Sequence, residues 1–285
     1  MELKKKVYAE LDAVAGTDVI FASNTSTLPI TEIANTTSRP DKFIGIHFFN
    51  PPQLMKLVEI IPGQKTSNET VSITQNYVNS VKKQAVMCRR DVPGFIINRL
   101  FIPMVHEACY IKDRTGATQE EIDSTVKFKM GFPMGIFELA DFTGMDVIHK
   151  ATTEMYLRDK KVIRPHAGIE KMFNEKKLGQ KSGEGFYKYS DDKYERVALS
   201  EELADKCNPI QLVANILNNA AWLITNKASD MEEIEKAARL GLGLQKPLFE
   251  TGKNIGFQNI VNELNSLAKQ NGQFYEPDPL LVSME

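Results

Sequence analysis

Hydrophobic and polar positions divide this chain into two parts with different periodicity. Up to residue 92, short runs rich in Val, Ile and Phe alternate with segments in which apolar residues recur at helical spacing. From Pro93 onward the helical period holds throughout, and the apolar stretch between Phe95 and Val105 is too continuous for a surface helix. The pattern therefore predicts an α/β domain over residues 1–92, followed by all-α structure. In the first part we expect helices at 3–14, 28–35 and 68–83 and strands at 18–23, 43–49, 55–61 and 85–89; beyond it we expect helices at 94–115, 118–130, 136–156 and 165–176.

The helical part contains a repeat whose two copies lie 112 residues apart. A gapless run of matches at one offset favours duplication over chance. We therefore predict two repeated helical domains, at 93–190 and 206–285, with a polar linker at 190–196. The matches include Gly131 with Gly243, Gly144 with Gly256, Ile148 with Ile260, and Glu120-Glu-Ile-Asp with Glu232-Glu-Ile-Glu.

His47 and Glu59 lie twelve residues apart, in two apolar runs that flank a proline-containing segment. The prolines require a turn, so the segment is predicted to be strand, turn and strand. A turn centred on Pro52 places His47 opposite Leu57, with Glu59 as its diagonal neighbour on the same face, roughly 7–8 Å away at Cα. A carboxylate beside an imidazole can fix its tautomer, which a histidine general base requires. On spacing alone, a core histidine near an edge-strand glutamate is the simpler interpretation.

Composition and charge narrow the class of protein only a little. The 285 residues are 42% hydrophobic and carry a net charge of −2, which gives no footprint of nucleic-acid or membrane binding. Cys88, Cys109 and Cys207 are far apart and form no CxxC pair, so we expect no disulfide framework and no metal site. Neither a signal sequence nor a stretch of ~18 apolar residues is present, so we expect a cytoplasmic protein without membrane attachment.

The glycine-rich turn of a dinucleotide-binding fold is missing from this sequence. Such folds open with a strand, the pattern Gly-x-Gly-x-x-Gly and a helix whose N–H groups hold the pyrophosphate. Gly183-Glu-Gly185 and Gly241-Leu-Gly243 lack both the third glycine and a preceding strand. Small polar residues do follow the strand predicted at 18–23, where open α/β sheets bind ligands. The sequence therefore predicts a ligand-binding sheet edge without a pyrophosphate site.

Five segments, in the same order along the chain, resemble the 3-hydroxyacyl-CoA dehydrogenases. They are FASNTS at 21–26, GIHFFNP at 45–51, KLVE at 56–59, PGFIINR at 93–99 and GQKSGEGFY at 179–187. Together they identify the chain as a member of that family. The resemblance implies the C-terminal half of a Rossmann-like NAD-binding domain up to residue 92, followed by two repeated helical C-terminal domains. It also implies NAD as the cofactor and an acyl-CoA as the substrate.

The resemblance assigns roles to four residues of the expected active site. His47 corresponds to the general base that takes the proton of the substrate's 3-hydroxyl, and Glu59 corresponds to its carboxylate partner. Ser26 and Asn98 match polar residues that hold the substrate's oxygens. Taken alone, Ser26 is equally well explained as a helix cap, whereas Asn98 inside an apolar helix requires a polar partner.

Four further residues match positions beside the cofactor. Asn24 and Asn50 follow predicted strands next to the family's nicotinamide site, and Lys4 and Lys181 match lysines that approach NAD. Lys4 is equally well explained as one of three lysines on a solvated helix face. Of the other histidines, His106 is expected to be a packed helix residue, and the remaining two receive no role.

The expected activity is the NAD-dependent interconversion of (S)-3-hydroxyacyl-CoA and 3-oxoacyl-CoA, and two alternatives stay open. Without a glycine-rich turn, the chain is also compatible with a truncated, non-catalytic acyl-CoA-binding or assembly module. A fragment of a bifunctional chain with an enoyl-CoA hydratase is the other alternative, because related long proteins join these activities. The second helical copy is expected to be structural and to replace a dimer partner's domain, and a homo-oligomer is kept as a hypothesis. By itself, the chain is predicted not to bind NAD at micromolar concentration.

Overall fold

A sheet of four strands, in the order β1-β2-β3-β4, organises the first part of the chain. β1 and β2 are parallel, β2 and β3 antiparallel, and β3 and β4 parallel. All strands and helices predicted up to residue 92 occur, so the α/β prediction is confirmed. In this computed structural model, which describes residues 1–190, 193–195 and 197–284, they are β1 (Phe21–Ser23), β2 (Phe43–Phe48), β3 (Leu57–Pro62) and β4 (Gln84–Met87), with helices α1 (Glu2–Val14), α2 (Ile30–Ala34) and α3 (Asn68–Ser80) and a 3-10 turn at Pro40–Lys42.

The two central strands are buried on both faces, which explains their nearly continuous apolar sequence. On one face, Ile44 and Ile46 pack with Val78 of α3 in a buried cluster. On the other face, α2 approaches so closely that a Cβ on Gly45 would lie 2.8 Å from Ile30 Cδ1. Glycine at this position is therefore required by the packing of α2 on the sheet.

The register of the β2–β3 hairpin differs from the predicted one by two residues. His47 lies directly opposite Glu59, and the prediction that it faces Leu57 is wrong. In the connection, both Leu54 N and Met55 N donate to Pro51 O at 3.0 Å, a local turn that moves the centre of the hairpin one residue along the chain. Because a shift of two residues preserves the alternation of side chains, His47 and Glu59 still share one face.

Helix α1 forms where its apolar stripe predicts it, but the stripe faces outward. Leu3 is 76% exposed and Val14 is 82% exposed, and no residue of α1 is buried. β1 is an edge strand of the sheet, and α1 is fastened to it where Tyr8 Oη donates to Ala22 O at 2.6 Å. The outer side of α1 is therefore an apolar surface that the described residues leave uncovered.

Helices follow from residue 97, and two of them differ from the predicted bounds. The helix predicted at 94–115 begins later because Gly94 and Phe95 take a left-handed backbone, with φ of +80° and +52°. The helix predicted at 136–156 is divided in two because Gly144, with φ of +97°, ends the first part. The observed elements are α4 (Ile97–Thr115), α5 (Gln119–Ser124) extended by a π-helical turn (Thr125–Lys129), α6 (Ile136–Thr143), α7 (Met145–Arg158), α8 (Ala167–Asn174) and a 3-10 turn (Gln180–Ser182).

The segment predicted to be a polar linker contains paired strands. Strands β5 (Lys188–Ser190) and β6 (Lys193–Glu195) are antiparallel neighbours in a two-stranded sheet. Residues 191, 192 and 196 of this segment lie outside the described part of the chain. In the described remainder the linker prediction is wrong, since hydrogen bonds between β5 and β6 hold the backbone.

The second set of helices follows the offset found in the sequence. Helices α11, α12 and α13 begin 112 residues after α5, α6 and α7 (119 to 231, 136 to 248 and 145 to 257). Gly243 and Gly256 have the left-handed φ of their counterparts Gly131 and Gly144. This set consists of α9 (Glu201–Ala204), α10 (Ile210–Thr225), α11 (Met231–Gly241), α12 (Leu248–Ile255), α13 (Phe257–Asn271), a 3-10 turn (Gln273–Tyr275) and α14 (Pro279–Ser283). None of the described helices has the length and apolar character needed to span a bilayer.

The chain packs into two compact units. Unit 1 consists of Met1–Asn98 with Leu223–Gly241, and unit 2 of Arg99–Trp222 with Leu242–Glu285. In unit 1, Lys236 Nζ donates to Ala85 O at 2.7 Å, and Glu233 Oε2 accepts a hydrogen bond from Met87 N at 3.3 Å. Helix α11 therefore covers the outer edge of β4, so residues 223–241, which fall within the second predicted repeat, pack with the sheet.

Unit 2 contains a buried carboxylate that anchors the start of α6. Asp123 is fully buried, and its oxygens accept hydrogen bonds from Phe137 N (2.8 Å), Glu138 N (3.1 Å) and Tyr187 Oη (2.8 Å). Loss of hydration on burial outweighs these hydrogen bonds and raises the pKa of Asp123 to about 8.

The raised pKa of Asp123 predicts that stability falls as the pH rises. In the unfolded chain this carboxyl ionises near 3.8, whereas in the folded protein it keeps its proton up to about 8. Between these values the unfolded state binds fewer protons, so the free energy of unfolding decreases with pH and levels off above the folded pKa. Thermal unfolding at several pH values should show a smaller slope for Asp123→Asn than for the unchanged protein. An unchanged slope in Asp123→Asn, or an equal reduction in the exposed control Asp41→Asn, would contradict this.

Candidate active site

A buried histidine–glutamate pair lies near the carboxyl end of β2. His47 Nδ1 is 2.6 Å from Glu59 Oε2, and the two residues are 5% and 0% exposed. An ionised carboxylate only accepts hydrogen bonds, so the proton between them lies on Nδ1 and the second nitrogen, Nε2, is the basic one in the neutral ring. The two residues singled out in the sequence are therefore in direct contact, in the arrangement of an oriented general base.

The carboxylate of Glu59 also binds the start of α4. Its Oε1 accepts hydrogen bonds from Ile96 N at 3.0 Å and from Ile97 N at 2.8 Å. The first N–H groups of a helix have no partner within the helix, and negative charge is favoured at this end. Glu59 therefore has three donors, and it connects His47 to the helix that carries Asn98. Sequence reasoning missed this second role, because the donors are backbone groups of apolar residues.

Asn98 and Ser26 are in contact, through the side chain of Asn98 and the backbone of Ser26. Asn98 lies in the first turn of α4 rather than inside it, and its Nδ2 donates to the backbone O of Ser26 at 2.9 Å. The helix-cap interpretation of Ser26 is wrong: Thr25 Oγ1 accepts from Leu28 N at 3.0 Å, and Pro29 is the N-cap of α2. Within the described residues the hydroxyl of Ser26 makes no hydrogen bond, so it is available to a ligand.

The two asparagines predicted beside the cofactor follow β1 and β2. Asn24 Oδ1 accepts a hydrogen bond from Phe48 N at 2.8 Å, which ties the ends of the two strands together next to His47. This contact leaves the amide nitrogen of Asn24 as a donor. Asn50 is exposed two residues beyond the end of β2.

The two predicted lysines have different surroundings. Lys4 is partly buried on α1 in unit 1, beside Lys5, which pairs with Glu2 and Glu32. Lys181 lies in unit 2 and forms an ion pair with Asp146. The charge of Lys181 thus already has a partner within its own unit.

The glycines on either side of Lys181 are explained by how closely their loop packs on α6. Asp141 Oδ1 accepts from Phe186 N at 2.8 Å, and its Oδ2 accepts from Tyr187 N at 2.9 Å. A Cβ on Gly185 would lie 2.0 Å from Asp141 Oδ1, and one on Gly179 would lie 2.3 Å from Asp141 O. The loop needs these glycines in order to approach α6, and this close packing accounts for them without a cofactor.

The other histidines are occupied within unit 2. His106 is buried, with Nε2 at 2.8 Å from Thr152 Oγ1, and burial lowers its pKa to about 3. His166 Nδ1 accepts from Gly168 N at the start of α8, and His149 stacks on Phe173. His106 is the packed residue that the sequence predicts. In the described part of the chain, no group of three His, Cys, Asp or Glu residues could hold a metal ion.

Hydrogen bonds hold five of the predicted residues of unit 1 at the ends of β1 and β2, in β3 and at the start of α4. Glu59 joins His47 to the start of α4, Asn98 in that helix binds the backbone of Ser26, and Asn24 fixes the strand end beside His47. Among the described residues, the groups left for a substrate's oxygen include the basic Nε2 of His47, the hydroxyl of Ser26 and the second amide proton of Asn98. This set can take a proton from a hydroxyl while donating hydrogen bonds to oxygen.

Polar groups at the end of β1 fit the nicotinamide end of NAD. Ser23 Oγ is buried and has no partner among the described residues, and Asn24 keeps its amide nitrogen. A carboxamide offers an acceptor and donors to both. Neither α2 nor α3 offers a free helix start that could bind the pyrophosphate of NAD. Helix α2 has Pro29 at its N-cap, and the start of α3 is already capped by the side chain of Ser67.

Comparison with known proteins decides the family. The family profile described as "3-hydroxyacyl-CoA dehydrogenase, NAD binding domain" matches residues 1–92, and the one described as "3-hydroxyacyl-CoA dehydrogenase, C-terminal domain" matches residues 94–189. The 3-hydroxybutyryl-CoA dehydrogenase of Clostridioides difficile is 43% identical over 192 residues, covering 67% of this chain and 68% of that protein. The chain belongs to the 3-hydroxyacyl-CoA dehydrogenase family.

Other members of the family match to different extents. The mitochondrial hydroxyacyl-coenzyme A dehydrogenase of Rattus norvegicus is 42% identical over 191 residues, which cover 66% of this chain and 60% of that protein. The chain thus spans about 60% of the length of this relative. The crystal structure of the 3-hydroxybutyryl-CoA dehydrogenase of Escherichia coli K12 is similar with a TM-score of 0.83 and 26% identity, covering 99% of this chain and 78% of that one. A Rossmann-like NAD-binding domain followed by helical C-terminal structure is therefore the fold of this family member.

Proposed function

We propose that this chain carries the catalytic centre of a dehydrogenase that interconverts (S)-3-hydroxyacyl-CoA and 3-oxoacyl-CoA with NAD. The observation that carries the proposal is the buried pair of His47 and Glu59, which leaves Nε2 of His47 as an oriented base. The names of the relatives in Clostridioides difficile and Escherichia coli support a 3-hydroxyacyl-CoA substrate.

In the proposed reaction, Nε2 of His47 takes the proton of the substrate's 3-hydroxyl, and in the reverse direction it returns that proton. The hydroxyl of Ser26 and the second amide proton of Asn98 donate to the 3-oxygen as negative charge develops on it. Donors of this kind typically contribute ~10²–10³ to the rate. NAD, when bound, supplies the acceptor for the hydride. Glu59 keeps the imidazole in the tautomer that the proton transfer needs.

The residues we propose for the cofactor lie mainly at one end of the sheet. Asn24 and Ser23 would hold the carboxamide, and Asn50 follows the neighbouring strand. Lys4, on α1, is a further proposed contact to NAD from unit 1. For Lys181 to reach NAD, its ion pair with Asp146 has to open.

We further propose that residues 1–92 correspond to the C-terminal half of a Rossmann-like NAD-binding domain. The lack of a Gly-x-Gly-x-x-Gly pattern and the apolar surface of α1 beside the edge strand β1 support this. Two repeated helical domains, at 93–190 and 206–285, are supported by the shared helix bounds and by the left-handed glycines. Association with an enoyl-CoA hydratase and a homo-oligomeric state stay predictions.

The same two features, the missing glycine pattern and the uncovered α1, favour the alternative of a non-catalytic acyl-CoA-binding module. The alternatives differ in whether the site works once a pyrophosphate site is supplied. Joining the N-terminal, glycine-rich half of a relative's NAD-binding domain ahead of Met1 tests this directly. Oxidation of NADH with 3-oxobutyryl-CoA by the joined protein would support the dehydrogenase. A joined protein that binds NADH but does not oxidise it would favour the non-catalytic module.

The chain of 285 residues by itself is expected not to bind NADH in the micromolar range. Pyrophosphate affinity in this fold class comes from N–H groups at a glycine turn and a helix N-terminus, which the sequence does not supply. Isothermal titration of NADH into the purified chain measures this, with the joined protein as the positive control. A dissociation constant in the low micromolar range for the chain alone would mean that other residues build the nucleotide site.

A further inference from the structure

Phe95 combines a strained backbone with a position beside the histidine–glutamate pair. It is fully buried, and its φ of +52° lies in the left-handed region that bulky residues rarely occupy. Such a backbone is unfavourable and persists only where the surroundings impose it, typically at functional sites. The preceding residue, Gly94, is also left-handed at +80°. The strain falls immediately before the two amides that bind Glu59.

The left-handed turn directs backbone donors at one carboxylate oxygen. The backbone is left-handed at Gly94 and Phe95. As a result, the N–H groups of Ile96 and Ile97 both point at Glu59 Oε1, at 3.0 Å and 2.8 Å. Successive amides in such a turn form a concavity for an anion. The carboxylate is thereby held with its other oxygen 2.6 Å from His47 Nδ1.

The side chain of Phe95 contacts the partner of that carboxylate. Its ring centroid lies 6.1 Å from that of His47, inclined at 60°, while Phe49 lies 4.5 Å away from the same imidazole. Edge-on aromatic contacts of this kind restrict the orientation of both rings. Phe95 therefore acts on both members of the pair. Its left-handed backbone places the two amides that bind Glu59, and its ring contacts His47.

We propose that Phe95 is a positioning residue that holds the His47–Glu59 pair in a single tautomer and orientation. The catalytic consequence rests on the proposed general-base role of His47, but the effect on the imidazole does not. Glycine at position 95 would remove the strain and also the ring, whereas leucine would keep the strain and lose only the aromatic contact. The two substitutions therefore separate the contributions of ring and backbone.

The test uses nitrogen NMR of the histidine side chains in the 285-residue chain. Four histidines give few signals, and loss of one set in His47→Gln assigns His47. In the unchanged protein we expect one neutral tautomer, with the proton on Nδ1. An aromatic contact contributes about 0.5–1.5 kcal/mol, so in Phe95→Leu orientations of the imidazole that have left Glu59 should become up to about tenfold more populated. The second tautomer should appear with them, because the carboxylate selects Nδ1–H only while it is bound to the ring. Phe95→Gly should have a similar effect, while slow exchange of the Ile96 and Ile97 amide protons persists.

Phe43→Leu is the matched control, because Phe43 is also fully buried in unit 1 but packs on Tyr8, with ring centroids 4.7 Å apart. It should lower thermal stability as Phe95→Leu does and leave the His47 signals unchanged. A single, unchanged tautomer of His47 in both Phe95→Leu and Phe95→Gly would overturn the proposal, and Phe95→Gly decides the matter alone if Phe95→Leu does not fold. In the joined protein, lower kcat with unchanged KM for Phe95→Leu would extend the effect to catalysis. Absence of any turnover there would count against the proposed function and leave the NMR result standing.

Discussion

Replacing His47 by glutamine is expected to lower kcat by about 10²–10⁴-fold in the joined protein, with little change in KM. The glutamine amide can still donate to Glu59 Oε2, so the buried carboxylate is not left without a partner. What the substitution removes is the basic Nε2, which takes the proton of the 3-hydroxyl. Steady-state rates of NADH oxidation over a range of 3-oxobutyryl-CoA concentrations separate kcat from KM.

A second buried histidine provides the control for this substitution. His106 is fixed by Thr152 in unit 2 and has no place in the proposed reaction, so His106→Gln should reduce stability and leave kcat near its original value. Glu59→Gln should lower kcat as well, because the amide no longer selects the Nδ1–H tautomer and also weakens the contact with Ile96 and Ile97. Near-normal kcat in His47→Gln would remove His47 from the role of general base.

The pairing of His47 with Glu59 could be predicted because it depends only on the presence of a hairpin and on the parity of its register. Strand alternation has a period of two, so any hairpin register of the correct parity places the two side chains on one face. The centre of the hairpin depends on hydrogen bonds within the connection, such as those from Leu54 N and Met55 N to Pro51 O, and the composition of the turn does not determine them. The sequence therefore predicted the face correctly and the opposing residue incorrectly.

The second function of Glu59 could not be predicted, because it depends on backbone conformation. Proline and glycine at 93 and 94 favour a turn, but nothing in the identity of Phe95 indicates a positive φ. Without that turn, Ile96 and Ile97 are simply apolar core residues. The same limit applies to Asn98, whose partner is the backbone oxygen of Ser26, an atom that every residue type supplies.

The packing of residues 223–241 with the sheet is a long-range contact that periodicity does not report. The sequence pattern of α11 gives its apolar face and its place in the repeat, but not which surface that face covers. In the structure its polar residues also matter, since Lys236 and Glu233 bind backbone groups of β4. Arg89 adds a contact to the same segment through its ion pair with Asp230, at 2.6 Å. The second helical copy thus contributes to unit 1 as well as to unit 2.

Removing residues 206–285 is therefore expected to disrupt both compact units and to cause association or aggregation. In unit 1 the deletion takes away α11 and leaves the outer edge of β4 without its covering hydrogen bonds, and open strand edges pair with other chains. In unit 2 it removes Tyr275 Oη, which donates to the buried Glu107 at 2.7 Å, and Gln245 N, which donates to Gly131 O at 2.9 Å. Light scattering with size-exclusion chromatography measures the association, and thermal unfolding measures the loss of stability.

Single substitutions show whether the edge of β4 contributes to that outcome. Lys236→Met removes the donor to Ala85 O while keeping an apolar side chain on α11, and it should lower the free energy of unfolding by about 1 kcal/mol and increase association. Lys253→Met, at an exposed lysine of α12, is the matched control, because it changes the charge equally and leaves the sheet untouched. If Lys236→Met and Lys253→Met behave alike, the covering of β4 by Lys236 is not a source of stability. A monomeric protein of unchanged thermal stability after deletion of 206–285 would show, more strongly, that residues 1–205 fold without the second helical copy.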